Sequence, residues 1–348
     1  MEETETSRAD AALAAGLPPE LLEHLNASYD APAVDDVLAG YAAPRATTLR
    51  ANTLKTTPDA VAAALDAAGI AWRAPAFCRD AFVVAPRSED ALRALPLYER
   101  GEIYLQSLSA MLPALALDPQ SGENILDMAA APGGKTCHLA ALSGDAACLT
   151  ACEKNPVRAQ KLRHNLEKQG VTRCNVMECD ARRLDEFFTF DKVLLDAPCS
   201  GSGTVSLAGG SYCGGFSAEL LTRSVATQRA LLNRALAAVR PGGIVVYATC
   251  SVLPEENERL VESVLSGAGR AKSQQAPKGK HGKRGRGKGA ARSANDVAPF
   301  QGEAEIVPLP QTLLRDVPLL PCSLEGAACV KPTNEFEGFF VCAVKRTR

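Results

Sequence analysis

The sequence predicts an α/β fold with a mostly parallel sheet, preceded by a smaller helical or α+β unit. From about residue 122 onward, short apolar runs alternate with helical patterns, which is typical of parallel βα units. Residues 18 to about 100 contain helix signals but lack this alternation. The chain has 348 residues and is 46% apolar, which allows a large core and two domains.

Helix start and stop signals define the N-terminal unit. "PPELLEHLNASYD" predicts a helix after paired prolines, and "TPDAVAAALDAAGI" predicts a second helix with Thr57 as N-cap and Gly69 at its end. "GEIYLQSLSAMLPALAL" leads into the larger domain. We therefore predict a disordered N-terminus over 1–17, an accessory domain over 18–103 and the main domain over 104–348.

Seven apolar runs predict the strands of the main domain. A helix between the second and third runs is capped by Asn155, opened by Pro156 and closed by Gly170. The runs are "NILDM", "CLTAC", "CNVME", "DKVLLD", "GIVVYAT", "EAEIVPL" and "EGFFVCAVK".

Charge is distributed unevenly along the chain. Between Ser266 and Asn295 there are 9 basic and no acidic residues, so the remainder carries 29 basic against 40 acidic residues. Such a Gly/Lys/Arg-rich segment cannot bury a core, and we predict a disordered basic insertion over 267–297. An acidic globule with a basic strip suggests a polyanionic partner.

The cysteine pattern favours a reducing compartment and no metal. The chain has 12 cysteines without a C-x-x-C pair and four scattered histidines, so the spacing of a metal site is absent. The N-terminus "MEETETSRAD" is unlike a signal peptide, and no apolar run approaches about 18 residues. We expect a cytoplasmic monomer with free thiols and no membrane contact.

"ILDMAAAPGGKT" predicts a cofactor site between a strand and a helix. Small residues let a ligand approach the backbone and the amides of the helix N-terminus. A phosphate-binding P-loop would need glycine at position 129, which is alanine. The candidate cofactor residues of this turn are Ala129, Ala130, Ala131, Pro132, Gly133, Gly134 and Lys135.

Acidic residues follow four successive predicted strands, at Asp127, Glu153, Asp180 and Asp196. Carboxyl ends of parallel strands converge on one crevice, although any one of these acids could simply cap the following helix. Glu153 lies where an acid binds ribose hydroxyls, and Asp180 could accept a hydrogen bond from an adenine amino group. Carboxylates would repel a triphosphate, whereas a ligand with ribose, adenine and a cationic centre, such as S-adenosylmethionine, suits them.

Four ordered motifs resemble those of the RsmB/Nop2/Sun family of RNA cytosine-5 methyltransferases: "LDMAAAPGGKT", "LLDAPCSGSG", "YATCSVLPEENE" and "EGFFVCAVK". The resemblance runs from about Thr47 to the C-terminus without the basic insertion. It implies a Rossmann-like class I SAM-dependent methyltransferase domain with a seven-stranded sheet, in which the turn and Glu153, Asp180 and Asp196 hold the methyl donor. Arg158 resembles a further family residue near the cofactor, or it is an exposed helix charge.

Cys199 and Cys250 end the fourth and fifth predicted strands. A thiolate that adds to carbon 6 of cytosine makes carbon 5 nucleophilic, and a base must later remove the carbon 5 proton. This chemistry alone does not say which cysteine attacks, since DNA cytosine-5 methyltransferases use a Pro-Cys cysteine. The resemblance implies that Cys250 is the nucleophile and Cys199 the release partner. Asp196 would hold and polarise the base.

The sequence thus predicts a SAM-dependent RNA cytosine-5 methyltransferase acting on small-subunit rRNA. Transfer RNA is the nearest alternative substrate, and a non-catalytic ribosome-assembly factor or a DNA methyltransferase are further readings. We expect Arg45, Arg50 and Lys55 of the N-terminal unit, and the basic insertion, to contact phosphates. Because carboxylates would oppose thiol ionisation, we expect Glu255 and Glu256 to point outward.

Overall fold

A computed structural model of the chain describes residues 7–270, 295 and 297–348. The described residues form two sheets, one of four strands and one of nine. The predicted basic insertion lies almost entirely outside the described residues. No described helix is both long and apolar enough to cross a membrane.

Six helices and a four-stranded sheet form the N-terminal part. The strand order is β2-β3-β1-β4 and every pairing is antiparallel. The elements are α1 Arg8–Ala14, α2 Pro19–Ser28, α3 Ala31–Ala42, β1 Ala46–Ala51, α4 Pro58–Ala67, β2 Trp72–Arg73, β3 Ala81–Pro86, α5 Glu89–Arg93, α6 Pro96–Glu99 and β4 Ile103–Leu105.

The main domain is built on the nine-stranded sheet, whose elements follow in chain order. They are α7 Leu108–Leu117, β5 Asn124–Asp127, α8 Gly134–Leu142, β6 Cys148–Cys152, α9 Pro156–Gln169, β7 Cys174–Met177, β8 Phe190–Asp196, α10 Ala218–Ala238, β9 Val239–Thr249, α11 Glu258–Arg270, β10 Ala304–Val307, β11 Leu319–Leu320, β12 Ala328–Val330 and β13 Phe339–Arg346. The strand order is β11-β12-β13-β9-β8-β5-β6-β7, with β10 paired to β13.

The five strands β5 to β9 are mutually parallel, as the alternating pattern predicts. The sheet has nine strands where seven were predicted. The strands β10 to β13 lie on the β9 side and pair antiparallel, and β11 and β12 are the two that were not predicted. The two extra strands β11 and β12 are only two and three residues long, so their sequences carry too little periodicity to predict.

Alternation along the strands divides the core into two layers. On β8, Val193 and Leu195 face a cluster with α2, α3, α10 and α11, whereas Leu194 faces a cluster with α7 and α8. This is the two-residue period of a strand buried on both faces. The carboxyl ends of β5 to β9 therefore meet at one edge, between two helical layers.

The predicted domain limits need three corrections. Residues 8–14 form α1 within the segment predicted to be disordered, because Ser7 caps the helix and Ala12 and Leu17 are buried against the main core. Helices α2 and α3 also pack on that core, while the four-stranded sheet has its own apolar cluster. The predicted boundary at 103/104 falls inside β4, so the small sheet extends to Leu105.

Candidate active site

The turn after β5 is shaped by backbone hydrogen bonds and by glycine. The amide of Ala130 donates to the carbonyl of Cys152 on the neighbouring strand at 3.0 Å, and the Ala131–Pro132 peptide bond is cis. Gly133 has φ +110°, and a Cβ there would lie 3.0 Å from Leu162. Because side chains rarely adopt this conformation, the turn needs glycine where the helix begins.

Four of the predicted cofactor residues line one cleft, namely Ala129, Glu153, Arg158 and Asp180. Glu153 is buried and accepts a hydrogen bond from the Asn155 amide at 2.8 Å. This hydrogen bond fixes the Glu153 carboxylate at the end of β6. The fold thus brings together predicted residues that are up to 51 positions apart in the sequence, from Ala129 to Asp180.

Two arginines hold these carboxylates. The Arg158 guanidinium donates to the carbonyl of Ala131 at 2.8 Å and lies 3.4 Å from a Glu153 carboxylate oxygen. Arg182 donates to Asp180, and this hydrogen bond lowers the pKa of Asp180. Arg158 therefore contacts the turn after β5, and its side chain is 56% exposed. It lies near the predicted cofactor turn and is also an exposed helix charge, which were the two alternatives that the sequence left open.

Asp127 ends β5 and is buried beneath the turn. It is 2% exposed and accepts a hydrogen bond from the Thr136 hydroxyl of α8 at 2.7 Å. Burial raises the pKa of the Asp127 carboxyl to about 6. Asp127 therefore joins the strand to the helix that follows the turn.

Lys135 and Asp196 form an ion pair between the turn and the end of β8. Their Nζ and Oδ2 atoms are 2.7 Å apart, and both residues line a second cleft of about 220 Å³. Burial opposes the charge of Lys135, but the charges of Asp196 and Cys250 outweigh it and raise the pKa of Lys135. Asp196 thus has a cationic partner beside the two cysteine loops.

The two predicted cysteines meet at the strand ends. The Sγ atoms of Cys199 and Cys250 are 3.0 Å apart, and both are free thiols. The hydrogen bond to Cys250, together with burial and the charge of Glu256, raises the pKa of Cys199 well above its ordinary value. Cys199 therefore remains protonated at neutral pH and can donate its S–H to Cys250.

A buried carboxylate anchors the loop of Cys199. Glu256 is 0% exposed and accepts hydrogen bonds from the Ser200 amide at 2.8 Å and the Ser200 hydroxyl at 2.5 Å. The Gln228 amide group donates to Glu256 and to the carbonyl of Pro198, both at 2.9 Å. The expectation that Glu256 points outward is wrong, because this loop needs an acceptor that no backbone group supplies.

Glu255, its neighbour, does lie near the surface. It contacts His24 Nδ1 at 3.1 Å and its side chain is 27% exposed. Helix α11 begins at Glu258, after a turn over residues 254–257 that contains both glutamates. The two adjacent glutamates therefore have different roles, which the sequence alone does not distinguish.

Helices α2 and α3 support both cysteine loops through two tyrosines that sequence reasoning missed. The Tyr29 hydroxyl donates to the carbonyl of Val252, and the Tyr41 hydroxyl donates to the carbonyl of Ser202. Tyr41 is fully buried. No local motif marks either residue, because their partners are more than 150 positions away.

The three predicted phosphate contacts have internal partners instead. Arg50 is 1% exposed and donates to a glutamine side chain, so it cannot reach a phosphate. Arg45 pairs with Glu337 at 3.5 Å. The Lys55 ammonium donates to two backbone carbonyls at 2.9 and 2.7 Å. These three basic side chains lie near the junction of the two domains and stabilise it.

Two family models match this arrangement. One described as 16S rRNA methyltransferase RsmB/F matches residues 114–316, and one described as an RsmF/B-like ferredoxin-like domain matches residues 17–88. The chain belongs to the RsmB/F methyltransferase family. The Rossmann-like fold and the small N-terminal α+β domain predicted from the resemblance are thereby confirmed.

Named relatives of this RsmB/F chain act on ribosomal RNA. A human protein named 28S rRNA (cytosine(4447)-C(5))-methyltransferase is 38% identical over 227 residues, and a Shewanella woodyi protein named Ribosomal RNA small subunit methyltransferase F is 35% identical over 242 residues. These matches cover 64% and 67% of this chain. The chain spans only 28% and 50% of the relatives' own lengths.

Solved structures show the same fold. A methyltransferase homologue from Pyrococcus horikoshii is 25% identical with a TM-score of 0.76, covering 98% of this chain and 99% of that chain. NSun6 from Pyrococcus horikoshii, solved with SFG, has a TM-score of 0.72 and covers 99% of this chain and 98% of that chain. At 18% identity the second likeness concerns the fold alone.

Proposed function

We propose that this chain methylates carbon 5 of a cytosine in ribosomal RNA of the small subunit, with S-adenosylmethionine as methyl donor. The observation that carries the proposal is the pair of sulfurs, Cys199 and Cys250, beside the Lys135–Asp196 ion pair. The family match and the names of the relatives support the reaction and the RNA class. We place the reaction in the cytoplasm, with the protein as a monomer.

The cleft residues fit the donor. Glu153 and Asp180 supply carboxylates at the ends of neighbouring strands, which suits ribose hydroxyls and an adenine amino group. A Cβ at Gly134 would lie 2.9 Å from the Tyr104 ring, so only glycine keeps this turn close to the ring. S-adenosylmethionine supplies the methyl group when it is bound. The turn from Ala129 to Lys135, with Arg158 and Asp196, completes the cofactor site.

The two thiols divide the covalent chemistry. The Cys250 thiolate adds to carbon 6 of cytosine, so that a sulfur–carbon bond forms and carbon 5 becomes nucleophilic. Asp196, held by Lys135, orients and polarises the base. After carbon 5 has gained its methyl group, a base takes the carbon 5 proton, the electron pair of that bond re-forms the double bond between carbons 5 and 6, and the Cys250 sulfur leaves as a thiolate, with Cys199 assisting this release.

Bisulfite sequencing of total RNA from cells with and without the gene tests the proposal. Loss of methylation at one ribosomal cytosine would support it and identify the target. Loss in transfer RNA instead would establish the alternative substrate. If no cytosine changes although the protein is expressed, the proposal fails and a non-catalytic assembly role is favoured.

A further inference from the structure

A groove with a basic and aromatic lining lies between the small sheet and α9. Its volume is about 290 Å³. We define the basic groove by six of its lining residues, Arg93, Tyr98, Tyr104, Lys161, His164 and Lys168. No carboxylate belongs to the described lining, so none of the lining side chains repels a negatively charged ligand.

The basic groove is continuous with the catalytic cleft. Tyr104, Leu105 and Pro132 line both the groove and the cleft that contains Lys135 and Asp196. Tyr104 therefore forms a wall shared by the two spaces. An RNA strand whose target base enters the catalytic cleft would have its neighbouring nucleotides at this wall.

A second pocket that adjoins the catalytic cleft has the contrary charge. A pocket of about 250 Å³ shares Leu105 and Gln106 with the cleft, and its lining includes one arginine but three glutamates. The glutamates are Glu89, Glu335 and Glu337. Phosphates would be repelled on that side, so charge selects the basic groove as the path.

The groove cations are free to bind. Lys161 and His164 are exposed and make no hydrogen bond or ion pair with any residue that the structure describes. Arg93 pairs only with Asp90, whose side chain is fully exposed, and Lys168 lies 3.7 Å from the exposed Glu99. Such exposed surface pairs are weak and are readily exchanged for a phosphate.

We propose that the basic groove binds the phosphodiester backbone of the single-stranded RNA next to the target cytosine. The assignment rests on the proposed function, because it places the strand relative to the catalytic cleft. The target base must be single-stranded or flipped out, since a base inside a duplex cannot reach the two thiols. Cations combined with aromatic rings are the usual means of binding such a strand without sequence preference.

The test compares Lys161→Ala with Arg163→Ala, which removes the same charge from the same helix. Arg163 pairs with Glu178 and does not line the groove. Binding of a fluorescent single-stranded RNA oligonucleotide is measured over a range of salt concentrations. We expect Lys161→Ala to raise the Kd at low salt and to reduce the slope of log K against log salt by about 0.7, with Arg163→Ala unchanged.

A methyl-transfer assay on deproteinised small-subunit ribosomal RNA separates the two proposals. Lys161→Ala should raise KM for RNA more than it lowers kcat. Unchanged binding by Lys161→Ala, equal weakening by both variants, or no RNA binding by the parent would overturn the groove assignment. If the parent binds RNA through Lys161 but transfers no methyl group to any RNA, the proposed function fails while the groove assignment stands.

Discussion

The cysteine loops and the carboxylates proposed to bind the cofactor lie at one edge of the same sheet, but they are held in different ways. The Cys199 loop is fixed by Glu256, a buried carboxylate with three hydrogen bonds from Ser200 and Gln228. Glu153 accepts a hydrogen bond from the Asn155 amide and pairs with Arg158, whose side chain is 56% exposed. A buried network therefore fixes one region, and an exchangeable surface cation holds the other.

This difference follows from what each region does. The proposed chemistry needs two sulfurs in fixed positions, and hydrogen bonds to a buried charge give such rigidity. Carboxylates that bind a ligand must exchange their partners, which partly exposed ion pairs permit. Substitutions in the cysteine loops should therefore change activity and stability, whereas those at the cofactor arginines should change mainly affinity.

The largest expected effect is the loss of methyl transfer in Cys250→Ala. Removal of a covalent nucleophile should lower kcat by several orders of magnitude without unfolding the protein. Transfer of a radioactive methyl group to ribosomal RNA measures the effect. Cys213→Ala, at an exposed free cysteine, is the matched control and should retain activity.

Asp127→Asn tests the buried carboxylate beneath the cofactor turn. The folded pKa of about 6 exceeds the ordinary aspartate pKa of 3.8, so ionisation of Asp127 costs stability as the pH rises between these values. The unfolding free energy of the parent relative to the variant should fall by up to about 3 kcal/mol from pH 4 to pH 7. Denaturant unfolding of both proteins across this range would show it. A constant difference would contradict the burial argument.

The adjacent glutamates give a direct test of the buried network. Glu256→Gln disrupts hydrogen bonds to a buried charge and should lower the unfolding free energy by about 1.5–3 kcal/mol. Glu255→Gln removes a partly exposed contact with His24 and should cost about 0–1 kcal/mol. Chemical denaturation measures both variants. Equal losses would show that the two glutamates are held alike and that the comparison fails.

The smallest expected effect is at Arg158. Arg158→Ala removes one hydrogen bond to the cofactor turn and should weaken S-adenosylmethionine binding by about 1 kcal/mol. Calorimetric titration measures the affinity, and the unfolding free energy should change little. Normal affinity for S-adenosylmethionine together with a lower unfolding free energy in Arg158→Ala would contradict the roles assigned to the two regions.

The sequence allowed the main parallel strands, the glycine turn after β5 and the position of both cysteines at strand ends to be predicted, because each is marked by a short apolar run with a local signature. It did not reveal Glu256, Tyr29 or Tyr41 as loop anchors, since their partners are distant in sequence and similar residues elsewhere are exposed. Arg50 was predicted to bind phosphate from its charge alone. Its burial depends on packing between the small sheet and the main domain, which no local pattern encodes.

The covalent complex is the most direct test of the two thiol roles. Parent, Cys199→Ala and Cys199→Ala/Cys250→Ala proteins would each be incubated with ribosomal RNA and S-adenosylmethionine and run on a denaturing gel. We predict that Cys199→Ala alone accumulates an RNA–protein complex, because it forms the adduct but releases it slowly. A complex that persists in the double variant, or its absence from Cys199→Ala, would contradict Cys250 as nucleophile and Cys199 as release partner.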